Sequence, residues 1–292
     1  MIGIRGHRPS SAAAVALTVA AVGFLTLFVV LPLLAIFLTA LRDGVGEYLR
    51  TFTRTATVQS TMLTLGVTLV SVPVTVVFGL FASWALAKFR FPGRNLLISA
   101  IDLPLSLSPI VVGVMIVSVY GRFGLFGGFL EAHGIRVVFA RPSLVLTNLL
   151  IILPFVVREV LPTLEELGSE QEEAAATLGA SGFRTYLSVP LPSIKWAVVY
   201  GVLLAAARSA GEFGAASIVS GLRRGRTVTL PIQIELFYAE YQTAAAFSAA
   251  TLFTLFALIT VVVKSSVRPS VPRSPIDRGH DDSQILRRNP EP

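Results

Sequence analysis

Arg208 and Glu212 are the side chains whose types and spacing do most to suggest chemistry: a cation and an anion four residues apart in an otherwise apolar or small-residue stretch. On a helix that spacing puts both on one face, where they can pair, and pairing lowers the cost of burying them. A helix counted from Ile194 sets Arg208 about 21 Å along its axis, past the middle of a bilayer. Ionisable groups at such depth usually face a bundle interior or an aqueous route. Two readings stay open: a salt-bridged clamp between helices, and a part in a path for anions. Gly211 and Gly214 favour neither, because small residues also serve plain helix packing.

Other constellations are missing from the sequence. The run GLRRGRT, residues 221–227, is the nearest approach to a phosphate-cradling loop, and it lacks both the spacing and the lysine that such a loop needs. His7, His133 and His280 lie far apart, with no HExxH pair for zinc, and no G-x-S-x-G elbow occurs. The absence of cysteine removes thiol catalysis and thiolate metal sites. No catalytic residues, no metal ligands and no nucleotide bound by this chain are expected.

The elements that must position the pair are membrane spans. With 292 residues, 53% hydrophobic and 14% charged, and a mean hydropathy of +0.74, the chain is too apolar for an ordinary soluble fold. Six stretches read as spans: residues 9–41, 55–87, 96–120, 142–157, 196–222 and 241–263. The first resembles a signal peptide at its head, but its apolar run is too long and it is expected to be retained. A polar loop containing Arg42, Asp43, Glu47, Arg50 and Arg54 follows it. Asp102, Pro104 and Pro109 interrupt the third span, and Asp102 reads as a solvated or capping carboxylate near the inner interface. Residues 121–141 form a Gly-rich connection, either an interfacial loop or a partly re-entrant hairpin. Arg141 and Arg158 are expected to snorkel from the two ends of the fourth span. Three regions result: 1–57 with the first span and outer loop, 58–264 as the core, and 265–292 as a disordered tail. The net charge of +7 sits in short loops and the tail, which fits a lipid bilayer and not nucleic acid. With both termini inside, fourteen of the 24 Lys and Arg are cytoplasmic, a modest bias in the expected direction.

Between the fourth and fifth spans lies the polar run EQEEAAATLGASGFRTYLSVPLP, residues 170–192. Ser169 is expected to cap a short helix while Glu172 reaches back to the free backbone amide. Gly179 supplies the left-handed residue that ends it. Pro190 and Pro192 are expected to stop the next turn, so that the chain changes direction before Lys195 and Trp196.

Glu173, Ala174, Ala175, Gly179, Val189, Leu191 and Pro192 match the cytoplasmic-loop signature of ABC importer membrane subunits, with Val189 in place of Ile. The chain thus resembles an all-α permease of the type I importer kind, a bundle of six transmembrane helices with a cytoplasmic coupling helix. The resemblance implies that these residues, with Glu172, dock on a separate ATPase subunit that uses ATP and Mg. The stretch ARSAGEFGAASIVSG, residues 207–221, is similar to the oxyanion branch of these permeases. Together with LPLSLSPIVVGVM and IELFYAEYQTAAAFSAATL, it resembles most the second membrane subunit of bacterial sulfate/thiosulfate importers. That resemblance implies a bacterial inner-membrane location, a related permease partner, two ATP-binding subunits and an extracytoplasmic sulfate-binding protein. Molybdate and tungstate importers share much of the Glu-Phe-Gly region and stand as the alternative. A gradient-driven secondary transporter would need more charges within spans than Asp102, Arg208 and Glu212.

A small tetrahedral dianion must be met by donors as it loses water. Arg208, Ser209, Ser217, Ser220 and the amides around Gly211 and Gly214 are the expected ones. Arg223, Arg224 and Arg226 read either as an attractive outer mouth or as a solvated loop.

Overall fold

The computed structural model describes residues 11–266, which contain helices and turns but no strand. Helix α1 (Ser11–Leu25) passes through a π-helical stretch (Thr26–Val30) into α2 (Leu31–Ala40). Pro32, in the first turn of α2, cannot donate to the carbonyl four residues earlier, and the turn it follows is the widened one. Among its described side chains only Ala40 is buried by the rest of the chain. The polar loop expected next carries a helix of its own, α3 (Val45–Thr53). Its Tyr48 hydroxyl lies 3.1 Å from that of Thr251, and Glu47 pairs with Arg54.

Helix α4 (Thr55–Lys88) is the second span. The third is not straight: α5 (Arg94–Ser106) and α6 (Pro109–Tyr120) meet at 113°. Pro109 restricts the residue before it, and Ser108 is extended at φ −60° and ψ 136°, which ends the first helix and starts the second. The Gly-rich connection contains one short helix, α7 (Gly127–Ala132). Helix α8 (Arg141–Leu167) continues far beyond the expected end at residue 157. Arg158 therefore lies within it and pairs with Asp102 at 2.9 Å, so Asp102 is an ion-pair partner and not a cap.

The polar run folds as α9 (Glu170–Thr177), α10 (Gly182–Ser188) and α11 (Pro190–Ser193). Then come α12 (Lys195–Ala210), α13 (Gly214–Ser220), α14 (Leu230–Ala239) and α15 (Thr243–Ser266). The fifth span is thus broken at residues 211–213 and does not run on as one helix to residue 222. Among the described residues four helical rods are long and apolar enough to cross a bilayer: Ala14–Ala40, Thr55–Lys88, Arg141–Leu167 and Thr243–Thr260. The count reaches six when each of the two bent pairs, α5 with α6 and Arg184–Ser193 with α12, is taken as one span. The tail expected at 265–292 lies outside the described residues from position 267 on.

Helix α8 forms the centre of the bundle. Ile151, Ile152, Val156, Val160 and Leu164 join Val72 of α4, Val112 of α6, Ile194, Ala205 of α12 and Ala215 of α13 in one buried cluster. Close approach is set by glycine. A Cβ on Gly79 would lie 2.7 Å from Cγ1 of Val156, and one on Gly201 would lie 3.3 Å from its Cα. Val156 therefore sits between bare patches of α4 and α12, and dispersion across these contacts holds the three helices together. Helix α2 packs on α15, which also receives α14.

Candidate functional site

The polar run is built around two local devices. The first is the end of α9: Gly179 has φ +84°, its amide donates to Ala176 at 2.9 Å, and the Ala180 amide donates to Ala175 at 3.1 Å. This paired arrangement satisfies the last carbonyls of the helix and needs a left-handed residue, as expected. The second is the aromatic anchor of α10. Tyr186 is 4% exposed, with its ring 5.1 Å from that of Trp84 and 6.4 Å from that of Phe81, both on α4.

The start of α9 differs from the expected capping box. Ser169 has helical torsions and donates its hydroxyl to the Glu173 carboxylate at 2.5 Å. Glu172 turns instead to Lys88, at 2.7 Å. A charge-assisted bond to an ammonium outcompetes one to a neutral amide, and the last residue of α4 supplies that ammonium. The prolines also act differently: Pro190 and Pro192 lie inside α11, whose first turn has amides without helical partners in any case. The turn in direction comes at Ile194, where Arg184–Ser193 and α12 meet at 74°.

These folds leave one surface outward. Ala174 and Pro192 are exposed, Ala175, Val189 and Leu191 partly buried, and Leu191 packs on the central cluster. Leu178, at the tip, is 88% exposed, an apolar side chain that none of the described residues covers. Lys88, Arg94, Glu165 and Tyr186 complete the region, although the sequence signals only that Lys88 and Arg94 are basic flanks of a span.

The structure brings Arg208 and Glu212 together across the helix break. Their charged groups are 2.5 Å apart, with the Glu212 side chain 2% exposed and that of Arg208 28%. Glu212 is not on the same helix as Arg208; it follows the end of α12, where the Gly211 amide still reaches Ala207 at 3.2 Å. This placement lets its other oxygen accept from the Ala215 amide at 2.8 Å, capping α13. One carboxylate thus holds a guanidinium and a helix start.

The surrounding donors are partly committed. Ser209 donates to Thr68 of α4 at 3.0 Å, Ser217 to the Gly214 carbonyl at 2.8 Å, and Ser220 to the Ser217 carbonyl at 3.4 Å. Gly214 has a packing role, since a Cβ there would lie 3.0 Å from that of Pro109. In the basic loop Arg224 pairs with Glu240, and the Arg226 carbonyl accepts from Arg141 at 3.3 Å. Among the described residues no group of three His, Asp or Glu is arranged to hold a metal ion.

A family of binding-protein-dependent transport system inner membrane components matches residues 75–273, from the middle of α4 to beyond α15. The chain belongs to this family. It is a permease subunit in fold as well as in sequence. A bacterial ABC transporter that imports the acidic polysaccharide alginate has a chain that superposes with a TM-score of 0.73 at 14% identity, covering 88% of this chain and 96% of its own. The same fold, with a TM-score of 0.73 and 15% identity, recurs in the alginate transporter bound to an alginate pentasaccharide-bound periplasmic protein, over 89% of this permease and 95% of that chain. Among named permeases, the sulfate transport system permease protein CysW of Synechocystis is 46% identical over 241 residues, 82% of this chain and 87% of its own. The CysW protein of Escherichia coli K12 is 42% identical over 237 residues, 81% of each chain, and CysT of the same organism 36% over 244 residues, 82% and 88%.

Proposed function

We propose that this permease is one of two related membrane subunits of an ATP-driven importer for sulfate or thiosulfate, and that it transmits the motion of a separate ATPase through α9. The observation that carries the substrate class is the identity of 42–46% to sulfate permeases over more than four-fifths of the chain. That one organism has both CysW and CysT, each similar to this chain, supports a heterodimer with a CysT-like partner. Two ATPase subunits and an extracytoplasmic sulfate-binding protein complete the proposed complex, and the alginate neighbour, which is bound to a periplasmic protein, supports that kind of assembly.

The physical argument for α9 is its surface. A short helix with small alanines on its flank and a bare Leu178 at its tip suits insertion into a groove, where the apolar tip loses its contact with water. On this reading the polar run lies in the cytoplasm, where ATP is, with both termini on that same side. Closure of the ATPase dimer would displace α9 and swing the spans so that the path opens outward, and hydrolysis would reverse the change. Such a swing requires that the ATPase contact the two states unequally. Arg208, Ser209, Gly211, Glu212, Gly214 and Ser217 form the proposed path, with Arg208 as its positive charge and Glu212 as the group that orients it. ATP and Mg are bound by the partner and not by this chain.

The deciding experiment uses the complete complex in proteoliposomes with sulfate-binding protein and labelled sulfate. Uptake should require ATP and be competed by thiosulfate more strongly than by molybdate. Stronger competition by molybdate would overturn the substrate assignment, and uptake driven by an ion gradient without ATP would overturn the coupling.

A further inference from the structure

We propose that the Lys88–Glu172 pair is the link through which displacement of α9 reaches α4, with both residues acting as positioning residues that do not touch the transported ion. This rests on the reading of α9 as the ATPase-facing element.

Helix α9 has little grip on the bundle by packing. It is eight residues long, none of them buried, and its main helical neighbour is α10. A displacement of α9 therefore needs another way into the spans. Lys88, the last residue of α4, provides it. Its ammonium lies 2.7 Å from Glu172, in the first turn of α9, and also donates to the carbonyl of Gly168, the residue that ends α8. One cation thus ties three helix ends together.

The bond is shielded: the side chains of Lys88 and Glu172 are 12% and 19% exposed. Ion pairs in free solvent contribute little, whereas shielded ones resist separation because each charge would be left partly desolvated. Each group also lies at the favourable end of its own helix dipole, the cation at a C-terminus and the anion at an N-terminus. Arg94 strengthens the same corner. It donates Nε to the Leu86 carbonyl at 2.8 Å and pairs with Glu165 in the last turn of α8. The corner between α4 and α5 therefore grips the end of α8 and the start of α9 together.

From there α4 leads to the charged break. Thr68 accepts from Ser209 at 3.0 Å, three residues before Glu212, and Thr64 accepts from the Leu230 amide at 2.8 Å at the start of α14. A second route, through Tyr186 and Leu191, is apolar and enters α4 and the central cluster by packing. Of the two, the ionic route is the one that ends on a side chain of α9 itself.

The test is the complete importer in proteoliposomes, read as labelled sulfate transported per ATP hydrolysed. Lys88→Gln and Glu172→Gln should each lower that ratio about tenfold, within the usual range of coupling between sites. Lys88→Gln/Glu172→Gln together should lower it no further than the more severe single variant, because both remove one interaction. Lys88→Arg, which keeps the charge, should recover most of the ratio. An unchanged ratio in both single variants, in complexes with wild-type subunit content, would overturn the proposal, as would losses that multiply in the double variant. If Lys88→Gln fails to accumulate, Glu172→Gln and Lys88→Arg decide by the same outcomes. A separate measurement isolates the underlying reading: in this cysteine-free chain, Leu178→Cys should crosslink to the ATPase subunit. No crosslink would sink the docking of α9 itself, whereas a crosslink with an unchanged transport ratio sinks only the Lys88–Glu172 link.

Discussion

The carboxylate of Glu212 serves Arg208 with one oxygen and the Ala215 amide with the other, so its removal has two separable costs. Glu212→Gln keeps an oxygen for the amide but leaves the guanidinium without its counter-charge. Because Arg208 is only partly exposed, the loss is expected to be about 2 kcal/mol, measurable as a lower unfolding temperature in detergent. Glu212→Ala should destabilise further by the value of a helix cap, about 1 kcal/mol. The double variant Arg208→Gln/Glu212→Gln separates clamp from path. Two neutral side chains of similar shape should restore most of the lost stability, since neither buried charge is then orphaned. Sulfate uptake at constant ATP should nevertheless stay at least about tenfold below wild type if Arg208 is the positive charge of the path. Recovered uptake with recovered stability would make the pair a structural clamp.

At the scale of helices, glycine decides what can approach what. Gly79→Val and Gly201→Val each place carbon where Val156 already stands, and each should cost about 1–3 kcal/mol by overpacking, read from the yield of folded protein and its thermal midpoint. Gly179→Val acts otherwise: no neighbour crowds it, but its φ of +84° is strained for a β-branched residue. Insertion should be normal while uptake and stimulated ATP hydrolysis fall at least about tenfold. Gly179 was legible in the sequence because a helix end is a local matter, set by a few adjacent residues. The breaks in the third and fifth spans were less so. Hydropathy averages over Pro109 and over Gly211 to Phe213, although Pro109 alone was a sufficient local signal for a bend. Helices α13 and α14 escaped because they are short, apolar and lack a clear period; only Thr229 before Leu230 and Pro231 marked a start. The pairing of Glu172 with Lys88 could not be read at all. Nothing in either segment states that the ends of α4 and α9 meet, and the local capping rule pointed to the wrong partner.

For the whole molecule, the composition and the matched loop residues were enough to set the class, because a chain this apolar has few folds open to it and the polar run has no reason to exist in lipid. Sidedness can be measured on the intact chain. With the ATPase subunits stripped off, Leu178→Cys should react with an impermeant thiol reagent in inside-out vesicles and be silent in right-side-out cells; the reverse pattern would invert the topology. The position of Val156, held between Gly79 and Gly201, carries one more consequence. Three helices meshed at backbone distance cannot slide past one another without opening a void, so α4, α8 and α12 must turn as a single solid lever. Whatever compliance the transport cycle needs is thereby pushed to the elbows at Leu107–Ser108, at Ile194 and at residues 211–213, and stiffening those joints should stall the pump more surely than loosening its axle.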